Sequence, residues 1–230
     1  MGTSEKRLGF VPLEGLPELS FPQQPSNQDV ILRDDDCYAL WDRYAMPENI
    51  RRHSRFVAHI AQILAELAIQ KHAKISIADV RASALLHDLG KYYSLQYGGS
   101  HAQIGGAWVV AETRNYAIAQ GVIHHVHWPW PIRDDVSICQ LPLLVLYADK
   151  RVQHDEAVTV AGRYQDLQVR YGVNQEARAS IKRSFTQIQA IEQALAKVLG
   201  WDDLDTYAFS CNDLSQTHTQ AGSVRARPNA

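Results

Sequence analysis

The stretch Ala84-Leu85-Leu86-His87-Asp88-Leu89-Gly90-Lys91 constrains this chain more than any other. A run of apolar residues that belongs in a core ends in two side-by-side metal-ligand side chains, with a lysine one turn further on. Adjacent ligands at the end of a helix can grip one ion together, and the lysine can face the same site. An isolated His-Asp pair is more often an ordinary helix terminus. The remainder of the chain must therefore supply further ligands, on helix faces that point inward.

Four other helical segments do so. Proline suits a first turn and an acid suits the positive end of a helix, so Pro47-Glu48 opens a helix that runs to about residue 70. Its apolar stripe of Ile50, Val57, Ile60, Leu64 and Leu67 includes His53 at a core position. A buried histidine bonded to backbone would occupy that place equally well. Ser76 or Asp79 begins the next helix, whose inward set is Val80, Ala84, His87 and Lys91, with Asp88 at the border. Ser100 caps a helix starting at His101, whose stripe continues through Ile104 or Gly105 to Trp108. Asn115 opens another, on which Ile118, Val122 and His125 share a face and His124 lies beside it. The aromatic, proline-stiffened segment His127-Trp128-Pro129-Trp130-Pro131 ends that helix. A long helix is expected over residues 134–152, with Ile138, Val145, Asp149 and Val152 on one face. Asp149 follows the run Leu143-Leu144-Val145-Leu146-Tyr147-Ala148, and a carboxylate buried there is costly unless it is paired or binds a metal.

The flanks carry no comparable signal. Residues 1–33, with Pro12, Pro17, Pro22 and Pro25, read as an extended arm. Asp34-Asp35-Asp36 caps a short helix over residues 37–44. Helices over residues 158–171 and 175–199 have mixed polar faces and serve as packing elements, residues 201–209 add one short turn, and residues 210–230 form a polar, disordered tail. There is no internal repeat and no convincing strand. The expected fold is all-α, a bundle of about eight helices in a single domain over residues 34–209, with its motif core in 45–155.

Several function classes drop out on composition. A formal net charge of −2 and a pI near 6.5 give no electrostatic footprint for extended nucleic acid. Cys37, Cys139 and Cys211 are far apart and odd in number, which fits a reducing compartment. No apolar run reaches the ~18 residues of a membrane span, and no basic segment followed by an apolar run marks a signal peptide. The expected location is the cytoplasm.

Imidazole and carboxylate without thiolate suit iron, manganese, cobalt, nickel or zinc, with magnesium also admissible. His53, His87, Asp88 and Asp149 would hold one ion, and His101 with His125 would allow a second. Such an ion lowers the pKa of water toward ~7, making hydroxide available at neutral pH, and polarises a phosphoryl oxygen. Lys91 can neutralise the phosphate. Arg52 and Arg151 adjoin ligands in sequence, and Trp128 and His124 stand near one. These four are weaker substrate contacts, because helical neighbours point in different directions. Lys150, beside Asp149, is a weak candidate on the same ground.

The ordered set His53, His87-Asp88 within HDLGK, His101, His125 and Asp149 within Tyr-Ala-Asp-Lys resembles the HD-domain superfamily of metal-dependent phosphohydrolases, over roughly residues 45–155. It is most similar to small stand-alone bacterial members, including the di-iron type that hydrolyses diadenosine tetraphosphate. The resemblance implies that His53, His87, Asp88 and Asp149 bind or share a first metal, that His101 and His125 complete a second, and that Asp88 bridges. It implies one or two divalent ions per chain, iron first among them, and catalytic roles for Asp88 and Lys91. His125 is preferred over His124 because it follows Val122 by three positions. The cyclic-dinucleotide branch carries a glutamate four residues before the first histidine and a Gly-Tyr-Pro motif. Asn49 stands at that position and the motif is absent, which argues against that activity.

The implied function is hydrolysis of a phosphoester or phosphoanhydride in a nucleotide or similar metabolite, by attack of a metal-bound hydroxide. The expected partners are that small phosphorylated substrate and a second copy of the chain in a homodimer, with no membrane and no extended nucleic acid. Two other classes share the ligand set. One is a di-iron oxygenase of the inositol oxygenase kind, and the other is a metal-binding regulatory module without turnover.

Overall fold

The structure, a computed structural model, describes residues 31–201. The expectations for the N-terminal arm, the turn after Trp201 and the C-terminal tail lie outside those residues, apart from their inner ends. The described chain runs α1 (Asp34–Arg43), α2 (Glu48–Gln70), α3 (Ile77–Leu86), α4 (Lys91–Tyr97), α5 (His101–Thr113), α6 (Tyr116–His124), a 3-10 turn (Val136–Cys139), α7 (Leu141–Lys150), β1 (Val152–Gln153), β2 (Glu156–Ala157), α8 (Val160–Tyr171) and α9 (Gln175–Leu199). Among the described residues the fold is all-α apart from one two-stranded ribbon. No described helix is long and apolar enough to cross a membrane.

Local chemistry explains most of the boundaries. Ser76, Ser100 and Asn115 each accept a hydrogen bond from a backbone N–H in the first turn of the helix that follows, so α3, α5 and α6 start where their cap residues dictate. In α1 the three acids form the first turn instead of preceding it, and Asp36 reaches back to the Arg33 N–H at 2.8 Å.

Three expectations are corrected. The helix over 134–152 is broken, because a proline in its interior would clash with the preceding turn. Pro142 therefore sits in the first turn of α7, after an extended Gln140, and the 3-10 turn stands apart. The segment from Ser76 to Lys91 is also divided. It turns through His87–Gly90 and restarts as α4. The unforeseen ribbon pairs Val152 with Ala157 and Gln153 with Glu156.

The core lies where α2 packs on α3 and α7, α3 on α6, and α6 on α5 and α7. Phe56, Ile60, Leu64, Leu85, Leu86, Ile118, Val122, Leu144 and Tyr147 are buried there. Trp41 anchors α1 to this layer by donating its indole N–H to the Leu85 carbonyl at 2.9 Å. α9 covers α7 and α8. At one end of the layer α2, α3, α5, α6 and α7 all present ligand-type residues.

Candidate metal centre

The end of α3 sets the site. Gly90 lets α5 approach so closely that a Cβ there would lie 2.5 Å from the His101 carbonyl oxygen and 2.8 Å from the Gly105 nitrogen. That approach brings His101 to the His87-Asp88 turn. Gly121 plays the same part between α6 and α3, since a Cβ there would overlap the Ser83 hydroxyl. The sequence-predicted ligands consequently meet. His53, His87 and Asp149 form one group with ligand atoms within 4.8 Å of one another, and His87, Asp88 and His125 form a second. His101 adjoins the second group, its Nε2 3.5 Å from Asp88 Oδ1 and 3.1 Å from His125 Nε2.

The imidazoles are prepared as ligands. Nδ1 of His87 lies 2.7 Å from the Ala84 carbonyl, Nδ1 of His125 lies 2.6 Å from the Val122 carbonyl, and Nδ1 of His53 lies 2.9 Å from the His154 carbonyl. A carbonyl only accepts, so each Nδ1 carries its proton and each Nε2 is left to face the cluster. In the neutral rings these Nε2 atoms are lone pairs. His53 Nε2 then meets Asp149 Oδ1 at 3.0 Å, acceptor against acceptor. His87 Nε2 and Asp88 Oδ1 are buried without a hydrogen-bond partner. Burying such atoms is costly unless a proton or a cation lies among them. The donor set fits a divalent ion. All its members are oxygen or imidazole nitrogen, backbone carbonyls orient three of the rings, and Asp88 turns Oδ2 to His87 and Oδ1 to His101.

The electrostatics agree. Burial would lower the His87 pKa, but the Asp88 and Asp149 carboxylates lift it to about 9. Burial, with His87 beside it, pushes His125 down to about 3. Burial also lowers His101. Against their own burial, His87 and Lys91 hold the Asp88 carboxyl well below the usual range, and Lys150 and His53 do the same for Asp149. The cluster thus favours ionised carboxylates at Asp88 and Asp149 and a proton on His87, which a metal ion would have to displace.

The weaker predicted contacts divide. Lys91 donates to Asp88 Oδ2 at 2.6 Å and keeps 40% of its side chain exposed, so it sits at the mouth of the site. Arg151 is buried, donating to the Val158 carbonyl and the Tyr147 hydroxyl. Trp128 is buried against Trp130 and His124, with its backbone bonded to Gln187. His124 lies in that aromatic cluster, outside both ligand groups, and His125 takes the inward place. Arg52 is exposed and pairs with Asp155 in the ribbon turn at 3.5 Å.

One contribution ranked only among the weak candidates, and another was missed. Lys150, the last residue of α7, donates to its neighbour Asp149 Oδ2 and to the His125 carbonyl at 3.4 Å. Its long side chain folds back, which adjacency on a helix does not forbid at the helix end. The His154 carbonyl that orients His53 comes from a ribbon turn with φ +59°, and no side-chain pattern marks a backbone contribution of this kind.

Comparison with known proteins bears on the same residues. The HD domain family model matches residues 50–162. Ribonuclease Y of Aquifex aeolicus (strain VF5) is 36% identical over 97 residues, 41% of this chain and 16% of that protein. Ribonuclease Y of Protochlamydia amoebophila (strain UWE25) is 31% identical over 98 residues, 42% and 18% respectively. The chain spans less than a fifth of the length of these curated relatives. No solved structure matches it. Residues 50–162, the stretch that holds every ligand-type residue of the cluster, form an HD domain, of a superfamily that is in general one of metal-dependent hydrolases.

Proposed function

We propose that the protein is a metal-dependent phosphohydrolase acting on a phosphoester or phosphoanhydride bond of a nucleotide or similar phosphorylated metabolite. One observation carries this reading. Histidine nitrogens and aspartate oxygens from five helical segments converge, acceptor facing acceptor, with two lysine ammonium groups at the rim. His53, His87, Asp88 and Asp149 would hold a first ion, and His101 and His125 would complete a second, with Asp88 shared. Divalent ions bound there would acidify water and polarise a phosphoryl oxygen. Iron leads the candidate metals, with manganese, cobalt, nickel, zinc and magnesium behind it. Lys91, tethered to Asp88 and partly exposed, is placed to meet the negative charge that grows on the phosphoryl group.

A second reading is favoured by the names of the two relatives. Ribonuclease Y denotes an enzyme acting on RNA, and an RNA phosphodiester would use the same ligands. The experiment is a panel of nucleoside mono-, di- and triphosphates, dinucleoside polyphosphates and a short single-stranded RNA, run on protein purified anaerobically with its metal quantified. Turnover of at least one member is expected, and the His87→Ala/Asp88→Ala double variant should lose both metal and activity. Activity that persists in the double variant would remove the assignment. Cleavage of the RNA alone would select the second reading.

A further inference from the structure

The ribbon between α7 and α8 carries the carbonyl that orients His53, yet it is too small to hold itself. Its strands pair only Val152 with Ala157 and Gln153 with Glu156, and a hairpin of that size is marginal alone in water. The base of the ribbon is closed by its own residues. The Val158 N–H donates to the Arg151 carbonyl at 2.8 Å, and the buried Arg151 guanidinium returns a bond to the Val158 carbonyl at 2.8 Å. At the tip, His154 stands at φ +59°, a left-handed conformation that a non-glycine residue keeps only where its surroundings impose it. In that conformation its carbonyl lies 2.9 Å from His53 Nδ1.

Two guanidinium groups hold the tip, one from α8 and one from α2. Arg170, in the last turn of α8, places NH2 3.0 Å from His154 Nε2. A guanidinium only donates, so that ring nitrogen accepts. Arg170 is itself fixed, with its Nε 2.8 Å from Asp166 Oδ1 one turn earlier on the same helix. Arg52, the residue before His53 on α2, places its Nε 3.5 Å from Oδ2 of Asp155, the other tip residue. The His154 carbonyl belongs to the peptide unit that joins these two residues, so a tether at each end fixes its direction. With the carbonyl on Nδ1, the His53 proton stays there and Nε2 is left as the ligand atom, 3.0 Å from Asp149 Oδ1.

We propose that Arg170 and Arg52 are positioning residues of the metal centre. By fixing the His154–Asp155 peptide they hold His53 in the tautomer and ring orientation that bind an ion. Arg52 then serves the ligand set and not the substrate, and the end of α8 becomes part of the centre without supplying a ligand. This role rests on the reading of His53 as a metal ligand.

The test is titration of chelator-stripped protein with manganese, the free ion being counted by its electron paramagnetic resonance signal. His53→Ala marks the ion concerned, as the one whose binding it abolishes. Both tethers are partly exposed, so each contributes less than a direct partner of a ligand does. Arg170→Ala and Arg52→Ala should each weaken that ion about threefold, and the double variant about tenfold. An ion that survives in His53→Ala should keep its affinity when the two changes are added, because the tethers act only through His53. Stripped of metal, the double variant should melt close to the wild type, since pairs this exposed carry little fold stability. Unchanged affinity in the double variant overturns the proposal. So does a loss that comes with a lowered melting temperature of the stripped protein, or one that extends to an ion left in His53→Ala, since either marks a merely structural role. A wild type that takes up no manganese, or a His53→Ala protein that binds as the wild type does, removes the metal reading of His53 and the proposal with it.

Discussion

Asp149 and Asp79 are both buried carboxylates, and they differ in what surrounds them. Asp149 faces Lys150, His53 and His87, so its charge is matched. Asp79 has only neutral partners, accepting from Asn115 Nδ2 at 3.2 Å beside the Ser76 hydroxyl, and burial raises its pKa. The sign follows from linkage. A carboxyl whose folded pKa lies above its unfolded value favours the fold when protonated, so that contribution is complete below about pH 4 and is lost as the pH rises through the folded value. Asp79→Asn keeps the acceptor oxygen without the charge. It should melt above the wild type at pH 7, by about 2–4 °C for each kcal/mol recovered, with the gap closing at pH 3.5. The first turn of α3, where a negative charge is favourable, trims the gain. A thermal scan at the two pH values checks this, and a variant that melts lower at pH 7 would show that Asp79 is wanted as an anion.

At the scale of elements, Gly90 is the hinge of the site. It lies between α3 and α4 with α5 against it, and the two nearest atoms a Cβ would meet are backbone, which cannot rotate away. Gly90→Ala should cost about 1–3 kcal/mol of stability, the usual penalty for overpacking a tight contact. It should also weaken metal binding, because α5 carries His101 as it moves. Denaturant unfolding and metal titration of the same variant test both parts. Unchanged affinity beside lowered stability would separate His101 from the metal. The same elements show what could be read from sequence. His53, His87, His101, His125 and Asp149 were legible because a ligand on an apolar stripe has a direction, inward, fixed by the helical period. That period also chose His125 over His124. It fails where a helix stops. The turn at His87–Gly90, the break before Pro142 and the two-residue strands are decided by single residues or by tertiary contact. Lys150 stood only among the weak candidates for the same reason, since it bends back at a helix end.

At the scale of the whole molecule, the cluster joins parts of the chain that are distant in sequence. Its side chains come from α2, the α3–α4 turn, α5, the end of α6 and α7, and the α2 member is oriented by the ribbon. No such set of neighbours exists in the unfolded chain, so an ion that binds here binds the folded state. Its binding free energy is then added to stability by mass action, about 2.7 kcal/mol when the free ion is at a hundred times its dissociation constant. For a chain of this length that corresponds to a rise of roughly 5–10 °C in melting temperature. Protein stripped with a chelator should therefore melt lower than metal-loaded protein, and returning the ion should restore the difference. His87→Ala/Asp88→Ala should show no metal-dependent shift, because it lacks the two residues at the centre of the set. Lys91→Ala should keep the shift, since Lys91 donates to Asp88 and offers the metal no lone pair while it is charged. Burial opposes that charge, but Asp88 and Asp149 raise the Lys91 pKa above its ordinary value, so the ammonium persists at neutral pH. The three proteins, scanned with and without metal, separate loss of the ion from loss of the phosphate contact. An equal shift in all three would place the ion elsewhere on the molecule.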